Sequence, residues 1–292
     1  MTRPHPIGIV YNNQVPAACE MAGELAKQLG VDKTGWVSPA EDLESMASKA
    51  TDTKLIITVG GDGTILRTVK LASRYAIPIL GINMGRLGFM TELEGHDAME
   101  QLPQYLDGEP WIEERAMLQV QVLDEKGQPR PDIPAQHALN DAVIGRGVVS
   151  RVITLAANID GAQLTTYRAD AVIVSTATGS TGYNLSVGGP IIFPQAEVMV
   201  IVPVAAHLGL ATGLVVPGTS VLQFTLESDV DALLSVDGYL NVPLRREDRI
   251  QVEASPYKAR FLRIHPPTRF FHTLTRRLDF GGAVPKPTSL GS

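Results

Sequence analysis

The chain has 292 residues, of which 44% are hydrophobic and 19% charged, and its formal net charge is −6. These values are typical of a globular protein of one large or two ordinary domains, and a chain without basic runs is not expected to bind nucleic acid. Cys19 is the only cysteine, which excludes an intrachain disulfide and a cysteine-based metal site and fits a reducing, cytoplasmic location. Its apolar runs are too short to cross a bilayer, and its first residues do not resemble a signal peptide. We therefore expect a soluble protein with no membrane partner.

The first third of the chain alternates between predicted strands and helices. Short apolar runs predict strands at residues 6–12, 53–59 and 77–83. Apolar residues at helical spacing predict helices at residues 16–30, 39–50, 64–75 and 96–108. Such alternation is typical of a parallel sheet with helices on its faces. We therefore expect an α/β nucleotide-binding domain over residues 1–108.

From Trp111 onward the pattern changes to strand-like runs separated by turn residues. The predicted strands are residues 117–123, 136–147, 148–160, 170–175, 198–205, 220–227, 231–239, 248–255 and 259–265. Residues 270–280 return to helical spacing. The sequence thus predicts an all-β domain over residues 109–268. A C-terminal helix and tail, residues 269–292, are expected to pack back on the first domain.

A glycine-rich turn, "TVGGDGTILR" at residues 58–67, follows the predicted strand 53–59. Its exposed N–H groups at a helix N-terminus favour an anion, and its glycines let the backbone approach a ligand closely. The residues expected to bind phosphate are Gly60, Gly61, Gly63 and Thr64. The simpler alternative is a tight strand-to-helix turn in which Asp62 or Thr64 caps the helix.

Asp62 places a carboxylate where a phosphate is expected, and the two charges repel each other. A bridging divalent cation would make that arrangement tolerable. A carboxylate is also useful if a substrate hydroxyl must lose its proton while it attacks a phosphoryl group. The charge of Asp62 is thus explained if the reaction is the phosphorylation of an alcohol.

A second glycine-rich segment, "STATGSTGYNLSVGGP", spans residues 175–190. It is rich in serine and threonine, and apolar runs bound it on both sides. Hydroxyl groups beside a tyrosine suit a nucleotide, because hydroxyls bind polar edges and the ring stacks on a base. A flexible surface loop is the alternative.

Five motifs together resemble the NAD kinases in order and spacing. They are "GGDGT" at 60–64, "GRLGF" at 85–89, "LNDAVI" at 139–144, "YRADAVIVSTATGSTGYNLSVGGPII" at 167–192 and "SVDG" at 235–238. Diacylglycerol and sphingosine kinases carry a motif very similar to the first, whereas "TGSTGYNLSVGGP" is specific. The resemblance runs from about residue 55 to the C-terminal helix.

The resemblance implies a two-domain enzyme that phosphorylates the 2′-hydroxyl of the adenosine ribose of NAD. The phosphate donor would be ATP or another polyphosphate with Mg²⁺ as cofactor, and the enzyme would be a homodimer or homotetramer. Asp62 matches the proposed general base and Gly63 lines the site beside it. Asn140 and Asp141 match a pair that holds ribose hydroxyls, and Asp170 matches an acidic residue that contacts a base or carboxamide.

The same resemblance implies further residues that contact the substrate. No protein side chain is expected to ligate a metal. The segment that holds adenine contains Thr181, Gly182, Tyr183, Asn184, Leu185 and Ser186. Basic or polar ligand contacts are implied at Arg67, Arg151 and Arg168, for which a solvated helix face or a surface salt bridge is the alternative. For Asp237 in "SVDG" a hairpin turn is favoured over a ligand contact.

The chain departs from the family pattern at "VAAHLGLATGLVVPG", residues 204–218, where a "PHSLSxRP"-like stretch is usual. His207 is retained, and the departure affects the substrate contact implied at Ala205. Two alternatives to an NAD kinase remain from the sequence. One is a lipid kinase that shares "GGDGT", and the other is a dinucleotide-binding protein on the same fold that does not catalyse a reaction.

Overall fold

Parallel strands and covering helices form the amino-terminal part of this computed structural model, which describes residues 6–85, 88–148 and 151–278. The strands are β1 (Ile7–Tyr11), β2 (Trp36–Pro39), β3 (Leu55–Gly60), β4 (Ile79–Asn83) and β5 (Leu93–Glu94). The helices are α1 (Pro16–Leu29), α2 (Val31–Thr34), α3 (Ala47–Ala50), α4 (Asp62–Ala72) and α5 (Gly95–Asp107). The strands pair in parallel in the order β2–β1–β3–β4, with β5 beside β4. Every residue of β3 and β4 is buried, as is usual when helices cover both faces of a parallel sheet.

The predicted helix over residues 39–50 is only partly correct. Pro39 ends strand β2, a 3₁₀ turn covers Leu43–Met46, and α-helix is confined to Ala47–Ala50. Proline fixes φ and lacks a backbone N–H, which suits the last residue of an edge strand.

The second part of the chain is built from strands, as predicted. They are β6 (Trp111–Leu123), β7 (Gln136–Ala138), β8 (Asp141–Arg146), β9 (Ile153–Ile159), β10 (Ala162–Ala169), β11 (Ala171–Thr176), β12 (Val198–Val204), β13 (Leu214–Pro217), β14 (Leu222–Leu226), β15 (Ala232–Val236), β16 (Leu240–Leu244) and β17 (Arg249–Arg263). Two helices complete it, α6 (Tyr183–Ser186) and α7 (Arg269–Leu278). Six of the strands form an antiparallel sheet in the order β13–β12–β11–β8–β15–β16. The predicted fold class, an α/β part followed by an all-β part and a C-terminal helix, is confirmed.

The long strand β17 connects the two parts of the fold. It pairs antiparallel with β6 over most of its length and with β14 near its start, and Phe261 pairs in parallel with Ile79 of β4. The parallel sheet therefore continues into the β-rich half as one sheet of eleven strands. The proposed domain boundaries near residues 108 and 268 fall in the short connections before β6 and before α7.

A shared hydrophobic core packs the six-stranded sheet on the β-rich half of the larger sheet. Ile144 and Val172 of the smaller sheet belong to one buried cluster with Phe224 and Ile250 of the larger one. Both sheets are thereby fixed relative to each other.

Helix α7 returns to the first part of the chain, as predicted. Its Phe270 ring lies 6.1 Å from Phe89 and 5.7 Å from Phe193, measured between ring centroids. Arg276 forms an ion pair with Glu94 at 3.6 Å. The last two residues of the predicted helix over 270–280, and the tail after it, lie outside the described residues. Within the described part of the chain, no helix is long and apolar enough to cross a membrane.

Candidate active site

The carboxylate of Asp62 lies at the turn between β3 and α4 and bonds to a loop elsewhere in the chain. Its Oδ2 accepts a hydrogen bond from the backbone N–H of Phe89 at 2.9 Å, and its Oδ1 accepts one from Met90 at 3.2 Å. Gly61 is the N-cap of α4, and no side chain caps the helix. Asp62 is therefore not the helix cap but the acidic residue of the first turn of α4, where the helix dipole favours a negative charge.

Helix α7 brings a cation to the same carboxylate. Arg277 Nη1 lies 3.7 Å from Asp62 Oδ2, and the guanidinium stacks 4.7 Å from the centroid of the Phe89 ring. Both side chains of this pair are partly exposed to solvent. Arg277 thus places a positive charge beside the carboxylate at the glycine turn.

The three glycines of the turn have different surroundings. A Cβ at Gly60 would overlap with Thr64 Oγ1, so this glycine is required by the packing of the turn itself. A Cβ at Gly61 or Gly63 would meet no atom within 4 Å. The open space above these two backbone positions, next to the positive end of the α4 dipole, suits an approaching phosphate. Thr64 is buried, and its N–H donates to Gly61 O at 3.0 Å.

Asn140 and Asp141 are held by the carboxylate of Asp237. Its oxygens accept hydrogen bonds from the N–H groups of Leu139, Asn140 and Asp141 at 2.8, 2.7 and 3.1 Å. Asp237 and Gly238 both have positive φ angles, 49° and 73°, as the predicted hairpin turn between β15 and β16 requires. Asp237 therefore forms the predicted turn and also fixes the backbone of the Asn140–Asp141 pair.

The carboxyls of Asp141 and Asp237 share a desolvated environment. Burial, with a smaller contribution from the charge of Asp237, raises the pKa of Asp141 to about 7. Burial also raises the pKa of Asp237 to about 6, although its three N–H donors favour the charged form. A carboxyl of this kind accepts a ligand hydroxyl when ionised and donates to one when protonated.

The segment over residues 175–190 is ordered by its own hydrogen bonds rather than being a flexible loop. The buried amide of Asn184 donates to the carbonyls of Ser180 and Pro190 at 3.0 and 2.9 Å. Ser180 Oγ donates to Ala177 O at 2.6 Å and accepts from the N–H of Ile192 at 2.9 Å. The structure thus directs Asn184 into the segment, where it holds the backbone together.

Other side chains of this segment remain available to a ligand. Tyr183 is 43% exposed, a large fraction for a tyrosine in an ordered turn. Thr181 and Leu185 are half-buried, and Ser186 is exposed. The hydroxyls of Thr181 and Ser186 donate to Thr178 O at 3.2 Å and to Gly182 O at 3.5 Å. The exposed ring of Tyr183, on this rigid support, is therefore the group that suits base stacking.

Backbone packing brings the Asn140 pair and this segment together. The N–H of Thr176 donates to Asn140 O at 2.9 Å, and a Cβ at Gly179 would overlap with the backbone of Asn140. A Cβ at Gly182 would lie 3.9 Å from Asn140 Nδ2. The amide of Asn140 and the start of helix α6 therefore border one surface.

The remaining residues that were predicted to contact a substrate lie on other elements of the fold. Arg67 is exposed on α4, 3.9 Å from Glu41. Asp170 forms an ion pair with Arg146 at 3.0 Å. Arg151 and Arg168 both have exposed side chains.

The stretch at 204–218, which departs from the family pattern, is tied to Arg168. The N–H of Arg168 donates to Leu208 O at 3.0 Å, and its carbonyl accepts from the N–H of His207 at 2.7 Å. Ala205 is exposed, with a φ of 48°. The stretch is thus positioned by backbone pairing, which does not depend on which side chains it carries.

Sequence reasoning missed three groups at this site. The N–H groups of Phe89 and Met90 are 27 and 28 residues away from Asp62 along the chain, and only the folded structure brings them to its carboxylate. Arg277 comes from the other end of the chain. The "GRLGF" motif was the available signal for the first two, whereas helical spacing alone does not identify Arg277.

Magnesium is the metal implied by the sequence resemblance. In the described residues there is no group of three or more His, Cys, Asp or Glu side chains placed to hold a metal ion. Mg²⁺ that arrives with a nucleotide is usually held by phosphate oxygens and water with only one or two carboxylates. Asp62 is the carboxylate at the glycine turn.

Both halves of the chain match the domains of one family. Residues 32–110 match the ATP-NAD kinase N-terminal domain, and residues 139–264 match the ATP-NAD kinase C-terminal domain. A protein described as NAD kinase from Dehalococcoides mccartyi is 39% identical over 276 residues, which cover 93% of this chain and 95% of that protein. One of the same description from Chloroflexus aurantiacus is 38% identical, covering 93% of this chain and 98% of that protein.

Two solved structures have the same fold. The yeast NADH kinase in complex with NADH superposes with a TM-score of 0.79 at 21% identity, covering 98% of this chain and 90% of that one. An NAD kinase from Archaeoglobus fulgidus in complex with ATP superposes with a TM-score of 0.73 at 26% identity, covering 92% and 98%.

Proposed function

The chain is an enzyme of the NAD kinase family, and from this premise we propose that it phosphorylates the 2′-hydroxyl of the adenosine ribose of NAD. The phosphate donor is ATP or another polyphosphate, and the product is NADP. The observation that carries the proposal is the position of the Asp62 carboxylate, which two N–H groups orient beside the open backbone of Gly61 and Gly63. The solved relatives contain NADH and ATP, and the family assignment removes the lipid kinase alternative.

Asp62 acts as the general base in this proposal. As the ribose 2′-oxygen forms its bond to the terminal phosphorus, the bond from that phosphorus to the bridging oxygen breaks and ADP leaves. The hydroxyl proton passes to Asp62. General-base catalysis of this kind contributes roughly 10²- to 10⁴-fold to the rate. When bound, Mg²⁺ offsets the negative charge of the phosphate oxygens.

Other residues bind and orient the two substrates. The backbone N–H groups at Gly61 and Gly63 and the positive end of the α4 dipole receive phosphate oxygens. Asn140 and Asp141 bind ribose hydroxyls, because one supplies both a donor and an acceptor and the other supplies an acceptor. Tyr183 flanks the adenine, with Thr181 and Ser186 at its polar edge.

The proposal also includes the oligomeric state of the enzyme. We expect a homodimer or homotetramer in which Asp170 contributes to a site at the subunit boundary. Light scattering of the purified protein, with and without NAD, measures the assembly. A monomer under both conditions would contradict this part alone.

Turnover of NAD by the purified protein tests the activity. The reaction contains NAD, Mg²⁺ and either ATP or polyphosphate, and an NADP-specific dehydrogenase reports NADP as it forms. The proposal predicts NADP formation that requires a phosphate donor. Tight NAD binding without NADP under any donor would favour the non-catalytic alternative.

A further inference from the structure

Four buried charged side chains lie beneath the loop that contacts Asp62, and the proposed mechanism uses none of them. Glu92 precedes β5, Glu113 and Arg115 lie on β6, and Arg263 ends β17. Each of the four is no more than 6% exposed. Burying four charges is costly unless each is paired, so their arrangement requires a physical reason.

The four side chains form one connected network. Arg263 Nε donates to Glu113 at 2.8 Å and its Nη1 to Glu92 at 3.1 Å, while Arg115 Nη2 donates to Glu113 at 3.2 Å. The guanidinium groups of both arginines lie about 5 Å from the ring of Phe261. Burial alone would raise the pKa of Glu113, but the two arginines outweigh it and lower that pKa. The ionised form of Glu113 is therefore favoured between the two arginines.

Both arginines also bind the backbone of the loop above them. Arg263 Nη1 donates to Met90 O at 3.0 Å. Arg115 Nη2 donates a long hydrogen bond of 3.5 Å to Phe89 O. The carbonyl of Phe89 and the N–H of Met90 belong to one planar peptide unit. Arg115 therefore also limits the direction of the N–H that reaches Asp62 Oδ1, and Arg263 holds the same residue, Met90, at its carbonyl end.

Stability alone does not account for this network. Well-packed apolar residues in place of a buried ion pair are often as stable or more so. The two arginines instead donate hydrogen bonds to the carbonyls of Phe89 and Met90, the two residues whose N–H groups orient Asp62. Packing and hydrogen bonds behind a site hold its reacting groups in productive geometry.

We propose that Arg115 and Arg263 are positioning residues, which orient the Asp62 carboxylate through the backbone of Phe89 and Met90. The inference rests on the proposed role of Asp62 as general base. Neither arginine is a catalytic residue in the sense of touching a substrate. Their effect on the reaction passes through Asp62 alone.

A double-mutant cycle separates this role from a structural one. Arg263→Met and Arg263→Lys are each made with Asp62 and with Asp62→Asn, and kcat and KM for NAD are measured. With Asp62 present, Arg263→Met should lower kcat by about 10- to 100-fold, the scale expected for a misplaced reacting group, and leave KM within about threefold. With Asp62→Asn, the same change should lower kcat by less than about threefold, because the group it positions is already lost. Arg263→Lys keeps the charge and a donor to Met90 O, so it should fold and retain most of the kcat.

Arg130→Met is the matched control. Arg130 is 5% exposed and pairs with the equally buried Asp248 at 2.8 Å, but its partners do not contact the Asp62 loop. It should lower the melting temperature as Arg263→Met does and leave kcat nearly unchanged. An equal loss of kcat in Arg130→Met and Arg263→Met, or an equal factor in both Asp62 backgrounds, would overturn the positioning role. If Arg263→Met does not fold, the same comparison is made with Arg115→Met, which removes the contact to Phe89 O.

Amide hydrogen exchange provides a readout that does not depend on the base. Arg263→Met should speed exchange at Phe89 and Met90, and Arg130→Met should not. Unchanged exchange at these two amides contradicts the inference even if Asp62 is the base. Wild-type kcat in Asp62→Asn, with exchange altered as expected, would instead refute the role of Asp62 while the backbone link stands.

Discussion

Replacing Asn140 with alanine should weaken NAD binding without weakening the fold. Among the described residues the Asn140 side chain makes no hydrogen bond, whereas its backbone N–H is held by Asp237 at 2.7 Å. Truncation therefore removes a group that is free to bind a ligand and leaves the local backbone anchored. Its half-buried position beside Gly182 limits the water that could replace the lost contact.

The expected loss follows from one or two hydrogen bonds to ribose. Leaving a buried ligand hydroxyl without its partner costs about 1–3 kcal/mol, which corresponds to roughly a 5- to 150-fold weaker Kd. Calorimetric titration with NAD measures this loss. Adenosine monophosphate, which lacks the nicotinamide ribose of NAD, is the second ligand. If Asn140 contacts that ribose, the affinity for adenosine monophosphate should change little.

Asn184→Ala is the matched control in the same neighbourhood. Asn184 is fully buried and donates to two carbonyls within its segment. Its loss should lower the free energy of unfolding by about 2–3 kcal/mol, counted as two hydrogen bonds. The two variants should therefore separate in melting curves as well as in titrations. A lowered melting temperature for Asn140→Ala, with equal losses for both ligands, would refute the ribose assignment.

Three further changes have expected outcomes. Tyr183→Ala should raise KM for NAD much more than it lowers kcat, because base stacking is felt in the ground state, and steady-state kinetics would show an unchanged KM if the ring does not touch adenine. The pKa of Asp141 is raised from 3.8 to about 7, so the folded state binds the proton more tightly than the unfolded state and the wild-type free energy of unfolding falls as pH rises from about 4 to 7. Asp141→Asn should flatten that fall when it is measured by urea denaturation at several pH values. Parallel curves of stability against pH for the two proteins would contradict this expectation. A Cβ at Gly88 would overlap with Asp62 Oδ1, whereas one at Gly85 meets nothing within 4 Å. Gly88→Ala should therefore lower kcat with little change in KM, and an equal effect of Gly85→Ala would show that the loop is merely sensitive to substitution.

The buried strands of this fold are readable from the sequence, and the edge strands are not. The four strands of four or more residues that were missed are β2, β10, β13 and β16, and each lies at an end of its sheet. Their sequences are polar, as in "AQLTTYRA", or contain proline, as in "WVSP", "LVVP" and "LNVPL". An edge strand with an exposed face lacks a continuous apolar run, and proline is tolerated there because one side of the strand is unpaired.

The continuity of the larger sheet also escapes a reading of local patterns. The sequence predicted strands at 248–255 and 259–265, but the structure has a single strand, β17, with a register shift between Ala254 and Lys258. Its far end pairs with β4, which lies about 180 residues earlier in the chain. Pairing over such a separation is determined by the packing of whole elements and has no local signal.

Some residues of the candidate site can be recognised from the sequence, and others only from the structure. Asp62 is visible in the sequence because a charge follows a predicted buried strand, and the Asn140–Asp141 pair is visible because the "LNDAVI" motif resembles that of the NAD kinases. Arg263 and Glu113 look like ordinary polar positions of strands, since alternation with apolar neighbours is what a solvated face produces. Only the structure shows that these charges are buried.

The kcat of Asp62→Asn tests the central claim most directly. Asparagine keeps the size of the side chain and one acceptor for the loop N–H groups, but it cannot take the hydroxyl proton. The account predicts that NADP formation falls by roughly 10²-fold or more, while calorimetric Kd for NAD stays within about threefold and the melting curve shows a folded protein. Turnover at the wild-type rate by that folded variant would contradict the account.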